Sequence, residues 1–326
     1  MSFARRPHVW LAAVATAVAA TAYLRPTAPG RDPAVAAVDG PLVAVHWADA
    51  ERALVLRAGP GGAVLEVQTL RPPGRLERWP ANRAGSELLG RLAPLAAIRA
   101  LGQPDESHLA AFGLAPPTAT LRLQTAAAVT ELAVGGTTYG RNDFYVRSPD
   151  GQVYLLAQAL LGALAHGGRS LQERSPLGVA PAALTGLRVR QGANEHQFQV
   201  RHEAGGAGPF AAAADSGARL PQASALLARV LRLRVETVGT PAASGLPAVE
   251  LFMEHGASSA GPLQIWPLPA AGGATATSPA FVGPVTLQRF AAEALLQAVA
   301  GAIAEPADGV GRVPAAGGST GARVQP

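Results

Sequence analysis

The sequence predicts an α+β protein, in which an N-terminal transmembrane helix is followed by two tandem, similar α+β units with antiparallel meander sheets. Three observations predict this fold. An uncharged run near the N-terminus lies between arginines, short alternating segments are separated by glycine and proline turns, and the same order of motifs occurs twice. A chain of 326 residues, 48% hydrophobic and 15% charged, is long enough to bury two cores.

These patterns divide the chain into six segments. We expect a signal anchor at 1–26, a linker at 27–39, the first unit at 40–168, a connector at 169–183, the second unit at 184–304 and a disordered tail at 305–326.

The first 26 residues have the pattern of an export signal or a signal anchor. Arg5 and Arg6 precede the uncharged run Val9–Leu24, and Arg25 follows it. At ~1.5 Å per residue, this run makes a helix somewhat shorter than the ~30 Å hydrocarbon layer. Small residues at 17 and 19 suit signal peptidase, so cleavage stays open, although we favour an uncleaved anchor. The basic end stays inside, which predicts a single-pass inner-membrane protein with an extracytoplasmic body.

The absence of cysteine and the charge of the chain exclude several kinds of site and partner. The chain has no cysteine, which excludes a lipoprotein anchor, disulfides and thiolate metal sites. Its 27 basic residues, all arginine, and 22 acidic residues give a net charge of +5 without a dense basic run, so we expect no nucleic-acid partner. Arg188 with Arg190, and Arg232 with Arg234, are each expected to share a strand face, as either a basic surface or ordinary solvated charges.

In the first unit, hydrophobic periods of two and of about 3.6 residues predict the elements. Strands are expected at 42–47, 52–57, 64–70, 95–101, 118–124, 129–134 and 152–156, and helices at 86–93 and 157–165. The passage 71–80 around Trp79 is rich in proline and arginine, and no element is assigned to it. Asp105 and Glu106 suit the cap of a helix.

A signature between a helical or irregular segment and a strand organises the chain. It consists of Phe112, Gly113, Leu114, Ala115, Pro116 and Pro117, and a shorter echo, Gly245, Leu246 and Pro247, precedes an alternating segment of the second unit. Glycine and proline here end one segment and start a strand. We therefore interpret the signature as a structural boundary and not as a catalytic or binding site.

Other motifs recur in the same order. A pattern of Leu-Leu, Arg, an aliphatic residue and Leu occurs at 88–95 and again at 226–233. The strands at 42–47 and 52–57 correspond to 187–191 and 196–202, and the closing helix recurs at 287–300. Each match is weak, but the shared order predicts two units of similar plan.

No catalytic, cofactor or metal site is convincing in the sequence, so we expect a non-enzymatic protein. His196 and His202 lie ~20 Å apart along one strand, too far to share a metal ion. The Gly-x-Ser-x-Gly match at 317–321 lacks the strand and helix that a nucleophile elbow requires. The glycine pattern at 206–211 is similar to a dinucleotide loop, but the helix after it is interrupted. An envelope hydrolase would need polar residues that meet only in the fold.

Four aromatic residues of the meander have two interpretations. Tyr139, Phe144, Tyr145 and Tyr154 either line a groove for a partner or, as we favour, form the core of the meander. If they line a groove, Tyr145→Ala should abolish partner capture and leave the melting temperature nearly unchanged.

With the anchor, the signature and the segment from Tyr145 to Tyr154 in place, the chain resembles the family called domain of unknown function 4340, most clearly from Leu42 to Arg174. The resemblance implies a membrane-anchored extracytoplasmic protein, with some relatives linked to gliding-motility-type ABC transporter auxiliaries, and it carries over no catalytic residue. We therefore expect an accessory protein that binds a protein partner in an envelope or ABC-type transport system. A lipid- or glycan-binding envelope module is the alternative.

Overall fold

A computed structural model describes residues 34–304, apart from 36–39, 73, 204–207, 214–216, 242, 257, 260 and 269–271. The expected signal anchor, the expected tail and the Gly-x-Ser-x-Gly match lie outside the described residues. The described part is mostly β, with two antiparallel sheets and a few helices, which confirms the α+β class. Within it, no helix combines the length and the apolar character needed to cross a bilayer.

The first sheet contains nine strands. These are β1 (Leu42–Asp49), β2 (Arg52–Arg57), β3 (Val64–Thr69), β4 (Arg75–Pro80), β5 (Arg99–Gly102), β6 (Ala119–Thr125), β7 (Val129–Thr137), β8 (Phe144–Arg147) and β9 (Val153–Leu156). Their order across the sheet is β4-β3-β2-β1-β6-β7-β8-β9-β5. Two antiparallel meanders, β1 to β4 and β6 to β9, therefore meet where β1 pairs with β6.

The second sheet repeats this plan. Its strands are β10 (Gly186–Gln191), β11 (Asn194–His202), β12 (Pro209–Ala212), β13 (Val235–Val238), β14 (Val249–His255), β15 (Ser258–Ser259), β16 (Leu263–Pro267), β17 (Ala274–Thr277) and β18 (Val285–Leu287). The order is β12-β11-β10-β14-β16-β17-β18-β13, with β15 paired to β14. Replacing each strand by its counterpart gives the order of the first sheet without β4, so the predicted duplication is visible in the topology.

The described residues contain five α-helices. They are α1 (Arg83–Arg91), α2 (Glu106–Ala111), α3 (Gln158–Ala165), α4 (Pro221–Arg232) and α5 (Arg289–Ala304). Leu88 and Leu89 of α1 correspond to Leu226 and Leu227 of α4, and all four are buried in the core. Burying each such side chain contributes ~1.5–3 kcal/mol. Helices α1, α3, α4 and α5 contribute buried side chains to the core, and the sheet faces turned away from the core are called the outer faces below. Helix α2 buries no side chain, and Phe112 at its end stacks on Tyr145 of the outer face of the first sheet.

Strand β4 corrects the sequence analysis, which assigned no element to the passage 71–80. Trp79 is only 1% exposed and lies opposite the fully buried Leu65 of β3. Pro80 has no N–H to donate, but β4 is the edge strand, where proline is tolerated.

The start of the body is a second correction. Val35 lies within the expected linker, yet it is 3% exposed and its N–H donates to the carbonyl of Leu95 at 3.0 Å. Ala34 forms an isolated bridge with Ala96. The body therefore begins before Gly40, and the expected strand 95–101 is reduced to β5 because Leu95 and Ala96 are engaged in this contact instead.

The pair Arg232 and Arg234 is a third correction. Arg232 is the last residue of α4, and Arg234 lies in the loop before β13. The guanidinium of Arg234 donates to the carbonyls of Leu231 and Leu233 at 3.0 and 2.7 Å. The two arginines do not share a strand face, because the helical repeat continues to Arg232 and the chain then turns.

Candidate functional site

The signature connects α2 to β6 along the chain and packs against the end of β7. The carbonyl of Phe112 accepts a hydrogen bond from the N–H of Gly136 at 2.8 Å, and Leu114 is 3% exposed. This close approach depends on Gly135, where a Cβ would lie 2.3 Å from the Phe112 oxygen. Gly113 has a φ of 67°, which favours glycine. The signature therefore holds a helix against the end of a strand.

The echo in the second unit has different surroundings. The carbonyl of Gly245 accepts a hydrogen bond from the indole N–H of Trp266 at 3.1 Å. Leu246, which corresponds to the buried Leu114, is 93% exposed. The segment between β13 and β14 has no counterpart of α2 in the part of the chain that is described.

The four aromatic residues do not line a common groove. Phe144 is 6% exposed and packs edge to face on Trp47, whereas its strand neighbour Tyr145 points to the opposite face and stacks on Phe112, with ring centroids 4.3 Å apart. Tyr154 packs against the core, and Tyr139 is fully exposed. Because successive residues of a strand point to opposite faces of the sheet, the four side chains do not meet on one face. Phe144 and Tyr154 belong to the core of the meander.

A row of small side chains crosses the outer face of the first sheet. Four directly paired small residues form it in the order Ala53, Ala48, Thr120 and Ala133, and the row ends at Arg147 of β8. At ~4.8 Å between strands, the row is about 19 Å long. We call the depression above it the outer trough.

Two cavities lie along the outer trough and share Thr120 and Glu131. One has a volume of about 360 Å³ and reaches Arg147, and the other has a volume of about 270 Å³ and reaches Ala53. The wall is an ion pair between Arg122 and Glu131, with Nε and Oε2 2.5 Å apart. The trough is thus lined by small and polar groups and ends at an arginine.

Arg147 is the charged end of the outer trough. Its guanidinium forms no ion pair with any described residue, unlike that of Arg122. An unpaired arginine at the end of a groove suits a carboxylate, which its planar fork binds in a bidentate manner.

The equivalent row of the second sheet is filled. It consists of Glu195, Arg190, Glu250, Gln264 and Thr277. Arg190 pairs with Glu250, the Gln264 amide donates to Glu250 at 2.7 Å, and the Thr277 hydroxyl donates to Gln264 at 3.1 Å. These long side chains bond to one another across the face and occupy the space that is open in the first unit.

Arg188 and Arg190 share a strand face, as the sequence predicts. The guanidinium of Arg188 lies 4.2 Å from the ring centroid of Phe252 and 3.2 Å from Glu195. Arg190 pairs with Glu250 on the same face. Carboxylates and an aromatic ring therefore compensate both charges, and this face is not a bare basic surface.

The two units meet at β4 and β13, along the connector. The N–H of Glu173 donates to the carbonyl of Pro80, and the N–H of Val235 donates to the carbonyl of Arg174, both at 2.8 Å. Trp79 of the first unit packs edge to face on Phe281 of the second, with centroids 6.2 Å apart. The connector thus behaves as a shared strand between two sheet edges.

Neither a metal site nor a dinucleotide site is assembled in the described residues. No group of three or more His, Asp or Glu side chains there could hold a metal ion. His202 is engaged by the carbonyl of Leu184 at 2.9 Å. After Gly208 the chain forms β12, and α4 begins only at Pro221, so no helix N-terminus follows the glycine pattern.

Two units of matching strand order, each a sheet with helices packed against its core face, define a duplicated α+β protein. The sequence model described as domain of unknown function (DUF4340) matches residues 77–248, more than half of the chain, and the protein belongs to that family. The match runs from β4 through the connector to the echo of the signature, so it starts after Leu42 and extends beyond Arg174, the end of the clearest resemblance in the sequence. No curated protein and no solved structure matches the chain.

Proposed function

We propose that this protein is a non-enzymatic accessory component of the cell envelope that binds a protein partner through the outer trough. The open trough of the first unit supports this proposal, because the filled face of the second unit shows that the same topology accommodates paired long side chains at these positions. In this proposal, residues 1–26 anchor the protein in the inner membrane and the body lies on the extracytoplasmic side, within an ABC-type or related transport system.

The shape and charge of the trough favour an extended polypeptide segment as its occupant. A trough about 19 Å long accommodates five to six extended residues at ~3.3 Å each. Its floor of alanine and threonine leaves room for side chains, and Arg147 suits an acidic side chain or a terminal carboxylate. An α-helix is ~10–12 Å across with its side chains, which is wider than a trough whose floor is a single row of residues.

The lipid- or glycan-binding alternative calls for a deep apolar cavity inside one unit. Five cavities of the described part of the chain lie elsewhere: two along the outer trough and three at the connector and the junction. The cavity with mostly apolar lining, about 240 Å³ beside Trp79 and Val282, lies between the units. The protein-binding proposal therefore fits the described surface better.

Site-specific photocrosslinking in native membranes tests the proposal. A photoreactive amino acid at the exposed Ala48 should crosslink one protein partner, whereas the same group at the exposed Ala300 of α5 should not. Ala133→Trp should reduce capture of that partner without lowering the melting temperature. A lipid or glycan adduct at Ala48, or equal crosslinking from Ala300, would contradict the proposal.

A further inference from the structure

A polar cavity lies at the junction of the two units, independent of the outer trough. Its volume is about 260 Å³, and Trp79, Glu77, Arg169, Arg174 and Glu236 supply its main polar and aromatic groups. The strand β4, the connector and the strand β13 each contribute to it, so the cavity exists only because the two units are joined.

Arg174 is an incompletely bonded donor in this cavity. Its guanidinium lies 5.4 Å from the ring centroid of Trp79, and its Nη2 donates to the carbonyl of Glu236 at a long 3.4 Å. Its Nε is buried and has no hydrogen-bond partner. A buried N–H without an acceptor is costly, so a ligand that supplies an acceptor gains free energy here.

The charges of the cavity leave a positive excess. Glu77 is already neutralised by Arg75, with Nε and Oε1 3.2 Å apart, and it also accepts the Trp79 indole N–H at 3.0 Å. Arg169 forms no ion pair among the described residues, and Glu236 is exposed at the rim. Burial and repulsion from Arg169 lower the pKa of Arg174, and attraction to Glu236 and Glu77 offsets part of that shift.

We propose that this junction cavity is a binding site for a small carboxylate. The planar guanidinium of Arg174 presents the free Nε for a charge-assisted hydrogen bond, and Arg169 supplies a second cation. One excess positive charge suits a monoanionic head group. The volume is below the ~300–1,000 Å³ of drug-sized ligand sites, which limits the ligand to a small organic acid.

Calorimetric titration of the full chain with sodium acetate and sodium succinate, at constant ionic strength, tests this assignment. We expect saturable binding that Arg169→Gln weakens by about 10-fold or more, since a hydrogen bond to a charged group is lost. Arg174→Lys keeps the charge but removes Nε, and it should weaken binding similarly while the circular dichroism spectrum stays native. The matched control is Arg57→Gln at the exposed end of β2, which should bind as the wild type does.

Three outcomes would overturn the assignment. They are the absence of saturable binding by either carboxylate, an equal loss of affinity in Arg57→Gln, and tighter binding of inorganic phosphate than of both carboxylates. None of these results bears on crosslinking at Ala48, so the failure of this inference and the failure of the proposed function are distinguishable.

Discussion

Gly135→Ala is expected to destabilise the first unit through a single added methyl group. The new Cβ would lie 2.3 Å from the carbonyl oxygen of Phe112 and 2.9 Å from Cγ of Leu114. Reaching ordinary contact distances would require the signature to withdraw from β7 by about 1 Å.

The magnitude follows from the contacts that this withdrawal disturbs. The hydrogen bond from Gly136 to Phe112 contributes ~1 kcal/mol, and burial of Leu114 contributes ~1.5–3 kcal/mol. The stack of Phe112 on Tyr145 adds ~0.5–1.5 kcal/mol. These contacts set an upper limit of about 5.5 kcal/mol, and partial relaxation leaves an expected loss of ~2–4 kcal/mol in the free energy of unfolding.

Urea unfolding, followed by tryptophan fluorescence and circular dichroism, measures this loss as a lower midpoint at an unchanged m-value. Gly90→Ala is the matched control, because Gly90 lies in α1 with open space around its Cα, and alanine there should raise stability by up to ~1 kcal/mol. If Gly135→Ala unfolded at the same urea concentration as the wild type, the reasoning from close approach would be refuted.

Three further predictions concern the signature and its neighbours. Gly113→Val should cost ~1–3 kcal/mol by equilibrium unfolding, because φ is 67° and its Cβ would lie 2.9 Å from a backbone nitrogen, while partner capture by the refolded variant should be normal. Leu114→Ala should cost ~2–5 kcal/mol and Leu246→Ala less than ~0.5 kcal/mol by the same assay, since only the first leucine is buried. Hydrogen bonds from the His108 N–H and the Ser107 hydroxyl lower the pKa of Asp105. Its cap therefore stabilises above pH ~4 and is lost in acid, so the melting-temperature gap between wild type and Asp105→Ala should narrow from pH 7 to pH 2.

Local patterns in the sequence predict much of the fold. Alternating residues at 52–57 and 118–124 mark strands that the structure contains, and Leu88 and Leu226 mark the corresponding helices α1 and α4. The cap at Asp105 is also confirmed, with its side chain accepting the N–H of His108 at 3.0 Å. These features depend on residues within a few positions of one another, which is why a single sequence reveals them.

Features that depend on distant residues could not be predicted. The outer trough exists because Ala53, Ala48 and Ala133, from three different strands, fall into one cross-strand row. No local pattern encodes that register. The contact between Trp79 and Phe281 likewise joins residues from two units. Leu114 and Leu246 occupy the same motif, yet only Leu114 is buried, because it packs against Gly135 of the distant strand β7.

The main-chain hydrogen bonds of the connector to both units determine how the two units behave when they are expressed separately. A cut before Glu173 would take the hydrogen-bond donor from Pro80, and a cut after Arg174 would take the acceptor from Val235. Either cut leaves one half with an unpaired strand edge, β4 or β13, and separating the halves uncovers Trp79 and Phe281. Exposed edges of this kind template aggregation, so separately expressed halves should precipitate, whereas co-expressed halves should recover each other as a soluble complex.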